Sequence, residues 1–110
     1  MSSLSWLTDW FTQRDRAHVL YKRGMVCAQK HDHQAAVVFY TSALDVPEIT
    51  PELTAMVLYN RGLVYVASGM AEQGAADLNA VLAMNEAGAN VKKAAQQKLA
   101  KIESRTRHRV

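Results

Sequence analysis

The sequence predicts an all-α protein built as a short stacked array of helices. Two observations lead to this prediction. The ten residues AHVLYKRGMV at 17–26 return as AMVLYNRGLV at 55–64, with seven identities and an offset of 38 residues. A repeat of this length is typical of stacked helical units. Apolar residues also recur at spacings of three and four, which is the spacing of one face of an α-helix and not of a strand.

The chain is long enough for one domain with a core of its own. A chain of 110 residues buries about two-thirds of its surface on folding. Its 49% hydrophobic and 21% charged residues are a globular composition. No apolar run is long enough to span a bilayer, the N-terminus does not resemble a signal peptide, and the single cysteine, Cys27, excludes an internal disulfide. We therefore expect a cytoplasmic protein without a transmembrane segment.

The first predicted helical segment, residues 1–16, precedes the repeat. Ser3 or Ser5 can cap a helix there, and no Gly or Pro separates this segment from Ala17. One long helix or two helices meeting near Gln13 both fit. Because the end units of a helical array need covering, we expect this amphipathic segment to cap the stack or to support self-association. The residues assigned to this role are Leu4, Trp6, Leu7, Trp10 and Phe11.

The first repeat unit is predicted to span residues 17–46 as two helices. The turn HDHQ at 31–34 separates them, and Asp32 is expected to cap the second helix by accepting a backbone N–H. Pro47 ends that helix, because a proline cannot continue it. The apolar residues of the second helix follow helical spacing; they are Ala36, Phe39, Tyr40, Ala43 and Leu44.

The second unit is predicted to span residues 51–84. Thr50 is its expected N-cap, Pro51 lies in the first turn, and Gly69 ends the first helix of the pair. A capping helix is predicted over 89–103, with one apolar stripe and one charged face. The apolar stripe consists of Val91, Ala95, Leu99 and Ile102.

Charge is distributed unevenly along the chain. Residues 1–30 carry +3, residues 31–88 carry −6 and residues 89–110 carry +6. Such an asymmetry is able to orient partners or copies of the chain. The basic tail at 104–110 has no apolar stripe, and we expect it to be disordered.

At LYNRGLVY, residues 58–65, the sequence resembles the tetratricopeptide repeat (TPR) family, whose units are helix–turn–helix pairs of about 34 residues. The second unit matches the large, small, aromatic and turn-glycine positions of the family pattern with Leu58, Gly62, Tyr65 and Gly69. In the first unit Leu20 and Gly24 match, whereas Cys27 replaces the aromatic residue and His31 the turn glycine.

The resemblance covers about residues 17–103. It implies antiparallel helix pairs stacked as a short right-handed α-solenoid, in a single domain over residues 1–103. The first connection is four residues longer than the family spacing, and Glu86 stands where a proline is usual.

The resemblance also implies a binding surface, because in this family the first helix of each unit lines a concave groove. The groove residues implied here are His18, Tyr21, Met25, Gln29, Met56, Tyr59, Asn60, Leu63, Val66, Asn90 and Lys93. Such a groove has few charges and favours an apolar helix or peptide, or a second copy of the chain as a homodimer. A subset of the family binds a partner's terminal carboxylate, but only Asn60 matches its ligand positions, so we do not expect that activity.

Two arginines, Arg23 and Arg61, stand beside the repeated glycines. A charged group near a core needs a partner. Asp77 on the following helix is within reach of Arg61, whereas the first copy has Phe39 at the equivalent place. We predict an Arg61–Asp77 ion pair.

Protein–protein interaction without catalysis is the function that the sequence favours, as an adaptor or assembly subunit. No nucleophile–base set or glycine-rich phosphate loop is visible. His31, His33 and Cys27 are metal-ligand types, but no second cluster completes a tetrahedral set, so we expect neither metal nor cofactor. The alternative is a basic nucleic-acid-associated module acting through its C-terminal region. It is less favoured, because no aromatic residues interleave with the basic ones.

Overall fold

The computed structural model describes the backbone of residues 5–108 and the side chains of residues 15–108. Within this range the chain is all-α and contains no strand. The helices are α1 (Ser5–Gln29), α2 (His33–Leu44), α3 (Pro51–Ala67), α4 (Ala71–Ala83) and α5 (Ala89–His108). The residues predicted to cap the stack or to self-associate lie outside the described side chains; they are Leu4, Trp6, Leu7, Trp10 and Phe11.

Of the two arrangements that the sequence allows for the N-terminal segment, the structure has the single long helix α1. A left-handed residue, His31, follows the end of α1 and has a φ of 61°. The Asp32 N–H then donates to the Cys27 carbonyl at 2.9 Å. Gly69, 38 residues later, follows the end of α3 in the same way with φ of 85°, and the Met70 N–H donates to the Tyr65 carbonyl at 2.8 Å. His31 therefore has the backbone conformation of the turn glycine that it replaces.

We expect the substitution His31→Gly to stabilise the protein by about 0.5–1 kcal/mol. A left-handed residue with a Cβ is strained by roughly 1–2 kcal/mol, and the greater freedom of glycine in the unfolded chain offsets part of the gain. Urea unfolding followed by circular dichroism measures the change. The reciprocal control, Gly69→His, should lower stability, because space is open around Gly69 and only its backbone conformation resists the change. A less stable His31→Gly variant would contradict this explanation.

The N-termini of α2 and α3 are capped as predicted. The Asp32 carboxylate accepts from the Ala35 N–H at 3.2 Å, and the Thr50 hydroxyl accepts from the Leu53 N–H at 3.2 Å. Short connections between α1 and α2 and between α3 and α4 make each pair antiparallel. Each helix packs mainly on its neighbours in sequence, with further contacts between α1 and α3 and between α3 and α5.

Helix α3 contributes to two clusters of buried residues within the described range. The first cluster lies between α1, α2 and α3 and includes Tyr21, Ala36, Tyr40, Ala43, Val57 and Val64. The second lies between α3, α4 and α5 and includes Ala55, Leu78, Val81, Ala87 and Ala95. The repeated stretch 55–64 therefore supplies side chains to both sides of α3.

The predicted ion pair is confirmed. The Arg61 Nε donates to Asp77 Oδ2 and its Nη2 donates to Asp77 Oδ1, both at 2.8 Å. The third Arg61 nitrogen, Nη1, donates to the Thr41 hydroxyl on α2 at 3.1 Å. The hydrogen bonds to Asp77 raise the pKa of Arg61, so the guanidinium stays charged. This side chain connects α3 to both α2 and α4.

The last helix is longer than predicted. We expected a helix over 89–103 and a disordered tail over 104–110, but α5 continues to His108. The Thr106 hydroxyl donates to the Ile102 carbonyl at 3.0 Å, and Arg105 and Arg107 lie in the last turn, where cations favour the negative end of a helix. The basic segment is therefore helical as far as His108.

Candidate protein-binding surface

The residues predicted to line the groove differ widely in exposure. His18, Gln29, Met56, Asn90 and Lys93 are exposed, and Tyr21 is buried. The other predicted groove residues are half-buried; they are Met25, Tyr59, Asn60, Leu63 and Val66. All these residues lie on the predicted helices, but most of the buried and half-buried ones pack against neighbouring helices.

Tyr21 is a core residue and not a ligand-facing one, which corrects the prediction. It is only 7% exposed, and its ring centroid lies 6.1 Å from that of Tyr40. Its hydroxyl accepts a hydrogen bond from the Asn60 amide at 3.1 Å, and the same amide nitrogen donates to the Met56 carbonyl at 2.8 Å. Burial raises the pKa of Tyr21, and it raises that of Tyr40 to about 12. Both Tyr21 and Asn60 therefore serve the contact between α1 and α3.

Two further predicted groove residues face the last helices. Tyr59 packs against the second core cluster, which includes residues of α4 and α5. A Cβ added to Gly74 would lie 2.5 Å from Val66 Cγ2, so Val66 lies against α4. Val66 also lines a small hollow with Ile102 and Arg105. A substitution at Tyr59 would consequently perturb the core as well as any ligand.

An open cavity of about 550 Å³ lies between the middle of α1 and the N-terminal part of α3. We call it the α1–α3 cleft. Its apolar lining comes from Leu53 and from Met56, which is 40% exposed. The other lining residues within the described range 15–108 are polar: Asp15, His18, Glu48, Thr50 and Glu52. The cleft thus combines an apolar patch with three carboxylates.

The acidic side of the α1–α3 cleft was not part of the predicted groove. Glu48 belongs to the long connection between α2 and α3 and adopts a left-handed φ of 67°. Glu52 lies in the first turn of α3, where a carboxylate favours the positive helix end. The sequence did contain one signal for these acidic residues, namely the extra length of this connection. An inserted segment passes over the surface next to the helices that it joins, so its side chains can border a surface site.

No family model, curated protein or solved structure matches this chain. The relation to tetratricopeptide repeats is accordingly a resemblance of residues. Among the side chains of residues 15–108, no three His, Cys, Asp or Glu groups are placed to hold a metal ion. The rings of His31 and His33 instead lie edge to face at 6.4 Å. None of the described helices is long and apolar enough to cross a membrane.

Proposed function

We propose that this protein is a protein–protein interaction module, an adaptor or assembly subunit, that binds a peptide segment of a partner in the α1–α3 cleft. The observation that carries the proposal is the exposed Met56 beside Leu53 in an open cavity rimmed by carboxylates. A half-exposed apolar patch of this kind gains free energy when a partner side chain covers it. No catalysis is proposed.

We further propose that the helices form a short right-handed α-solenoid of two TPR-like units followed by a capping helix. The repeat of residues 17–26 at 55–64 supports this arrangement. The equivalent left-handed ends at His31 and Gly69 support it as well. The sequential packing of the helices is what a stack of such units requires.

The chemistry of the cleft indicates the kind of peptide that fits it. An apolar side chain of the peptide would cover Met56 and Leu53. Asp15, Glu48 and Glu52 would lie near its flanking residues and favour Lys or Arg there, because opposite charges across an interface steer and orient association. The expected ligand is therefore an apolar segment flanked by basic residues. This is more specific than the uncharged ligand that the sequence indicates.

Substituting Met56 by lysine is expected to weaken binding of such peptides at least about threefold. Met56 is 40% exposed, so a peptide that covers it gains about 0.6–1.2 kcal/mol, which is that fraction of the roughly 1.5–3 kcal/mol for burying a whole methionine side chain. The test is a selection from a random peptide display library on the full-length protein, followed by affinity measurement of the selected peptides. Met70→Lys is the matched control, because Met70 is 41% exposed and lies at the start of α4, away from the cleft.

The selection separates the proposal from its alternatives. Peptides that combine apolar and basic residues, bind wild type and Met70→Lys, and lose affinity for Met56→Lys support it. Equal affinity for all three proteins, or enrichment of acidic peptides only, would refute the cleft as the binding site. A wild-type dimer in sedimentation analysis that Met56→Lys converts to a monomer would show that a second copy is the occupant.

A nucleic-acid-associated module is the second candidate, and the length of α5 is the observation that favours it. Exposed Lys93, Lys101, Arg105 and Arg107 lie along this one helix as far as its end. Cations in such an array neutralise phosphates, and the resulting affinity falls steeply with salt. A salt titration with nonspecific RNA and DNA, on full-length protein and after deletion of residues 104–110, tests this candidate. Negligible affinity at low salt excludes it.

A further inference from the structure

A second apolar surface lies on the outer side of α1, away from the α1–α3 cleft. Val19 and Val26 are 44% and 48% exposed there. Together with Cys27 and Phe39 they line a hollow of about 350 Å³, which Lys22 and Arg23 flank. We call this surface the Val19–Val26 face.

The internal repeat shows what this face is built to contact. Shifted by 38 residues, Val19 and Val26 become Val57 and Val64. In α3 these two valines are buried, and they belong to the core cluster that α3 forms with α1 and α2. The same residues are thus an interhelical contact in the second unit and an exposed surface in the first. The Val19–Val26 face therefore has the side chains of a helix-packing surface, but no described helix packs on it.

The helix that packs on the equivalent face of α3 is α2. Its residues in that core cluster are small and aromatic, namely Ala36, Tyr40 and Ala43, and the Tyr40 ring also lies against Gly24 of α1. Helix α2 also presents the Thr41 hydroxyl, which accepts from Arg61. A helix that covers the Val19–Val26 face needs a comparable apolar stripe and an acceptor for Arg23, which is the repeat equivalent of Arg61.

The described part of the N-terminal segment is not placed to supply that helix. Residues 5–14 belong to the continuous helix α1, and a continuous helix does not fold back over its own surface at Val19 and Val26. The capping role predicted for these residues therefore does not extend to this face in the same molecule. No helix among residues 5–108 covers this face.

Charge decides which kind of chain fits. Arg61 is paired with Asp77, whereas the first unit has Phe39 at the position equivalent to Asp77. Within residues 15–108, Arg23 therefore has no ion pair. In a twofold interface the same patch of both copies meets, so a second copy docked through this face would bring its Lys22 and Arg23 close to those of the first copy. The four like charges would repel one another. We infer that the Val19–Val26 face binds an amphipathic helix of a different protein, with an acidic residue opposite Arg23.

The test uses a synthetic, side-chain-stapled helix with the sequence of residues 32–46, the α2 sequence, in two forms: the parent and its Thr41→Glu variant. Binding to full-length protein is measured by fluorescence anisotropy. The Thr41→Glu peptide should bind at least about fivefold more tightly than the parent, because a carboxylate replaces a hydroxyl opposite Arg23. Arg23→Ala should remove that advantage, and Val26→Glu should weaken both peptides.

Two controls keep the result specific to this surface. Val38→Glu places the same charge at another exposed valine, on α2, and should leave binding unchanged. Met56→Lys should also leave it unchanged, so failure of the cleft proposal and failure of this one are distinguishable. Thermal unfolding of each variant verifies that it folds.

Other outcomes would overturn the inference. These are no binding of either peptide at about 1 mM, equal affinities of the two peptides for wild type, or affinity that survives Val26→Glu. Sedimentation analysis supplies a further one. A wild-type dimer that Val26→Glu converts to a monomer would show that the occupant is a second copy and not an acidic helix.

Discussion

Replacing Arg61 with methionine is expected to lower the free energy of unfolding by about 3 kcal/mol, the lower end of the range for breaking a buried ion pair. The variant leaves the Asp77 carboxylate, in a residue only 6% exposed, without the two hydrogen bonds that Arg61 gives it. It also removes the bond to Thr41, which connects the two repeat units. Urea unfolding monitored by far-ultraviolet circular dichroism measures the loss.

A double-mutant cycle separates the pair from its members. Asp77→Leu alone should also be destabilising, because it leaves the guanidinium partly buried without its carboxylate. The double variant Arg61→Met with Asp77→Leu should recover much of the loss, since apolar side chains replace a buried ion pair at little net cost. Strictly additive losses would contradict this account.

The internal repeat provides a matched control. Arg23 occupies the same place in the first unit, is exposed, and faces Phe39 where Arg61 faces Asp77. Arg23→Met should therefore change the free energy of unfolding by no more than about 0.5 kcal/mol. A loss at Arg23 as large as that at Arg61 would show that the arginine itself, and not its pairing, stabilises these helices.

Replacing Gly74 with alanine is expected to destabilise the protein by about 2 kcal/mol, even though alanine favours a helix over glycine by about 1 kcal/mol. The added Cβ would lie 2.5 Å from Val66 Cγ2 and 2.8 Å from the Gly62 carbonyl oxygen. Because the carbonyl belongs to the backbone of α3, the clash is relieved only if α3 and α4 move apart. Thermal and urea unfolding both report this change.

Two comparisons test the explanation for Gly74. Gly62→Ala should lose less stability, because its nearest contacts, Asp77 Cβ, the Gly74 carbonyl and Leu78 Cγ, lie at 3.2 Å. Ala76→Gly, at an exposed position of the same helix, measures the helix-propensity difference without a clash. A Gly74→Ala variant as stable as wild type would show that α3 and α4 separate easily.

Several features could be predicted because short-range chemistry fixes them. A capping carboxylate at Asp32 and a hydroxyl at Thr50 act within three residues of themselves. The turn at His31 could be predicted because His31 occupies the position of the repeat that Gly69 occupies in the second unit. The Arg61–Asp77 pair was predictable because a cation beside a packed glycine needs a counter-charge on the adjacent helix.

The burial of Tyr21 and the acidic side of the α1–α3 cleft could not be predicted in the same way. Tyr21 has the spacing of a groove residue, and only the position of α3 brings Asn60 to its hydroxyl. Glu48 and Glu52 border the cleft because the connection between α2 and α3 passes beside α1. Such contacts join residues far apart in sequence, and helical periodicity does not specify the distance between two helices.

The sequence by itself determined that this protein is helical and repeated, where its helices are capped, and which arginine needs a carboxylate. Periodicity and capping are local, and the Arg61–Asp77 pair joins two adjacent helices of one unit, so the sequence alone predicts all three. Only the tertiary structure decided which apolar positions become core and which stay exposed. Val57 and Val64 are buried because α1 and α2 pack against α3. The equivalent Val19 and Val26 of the first unit are exposed, because none of the described residues covers them.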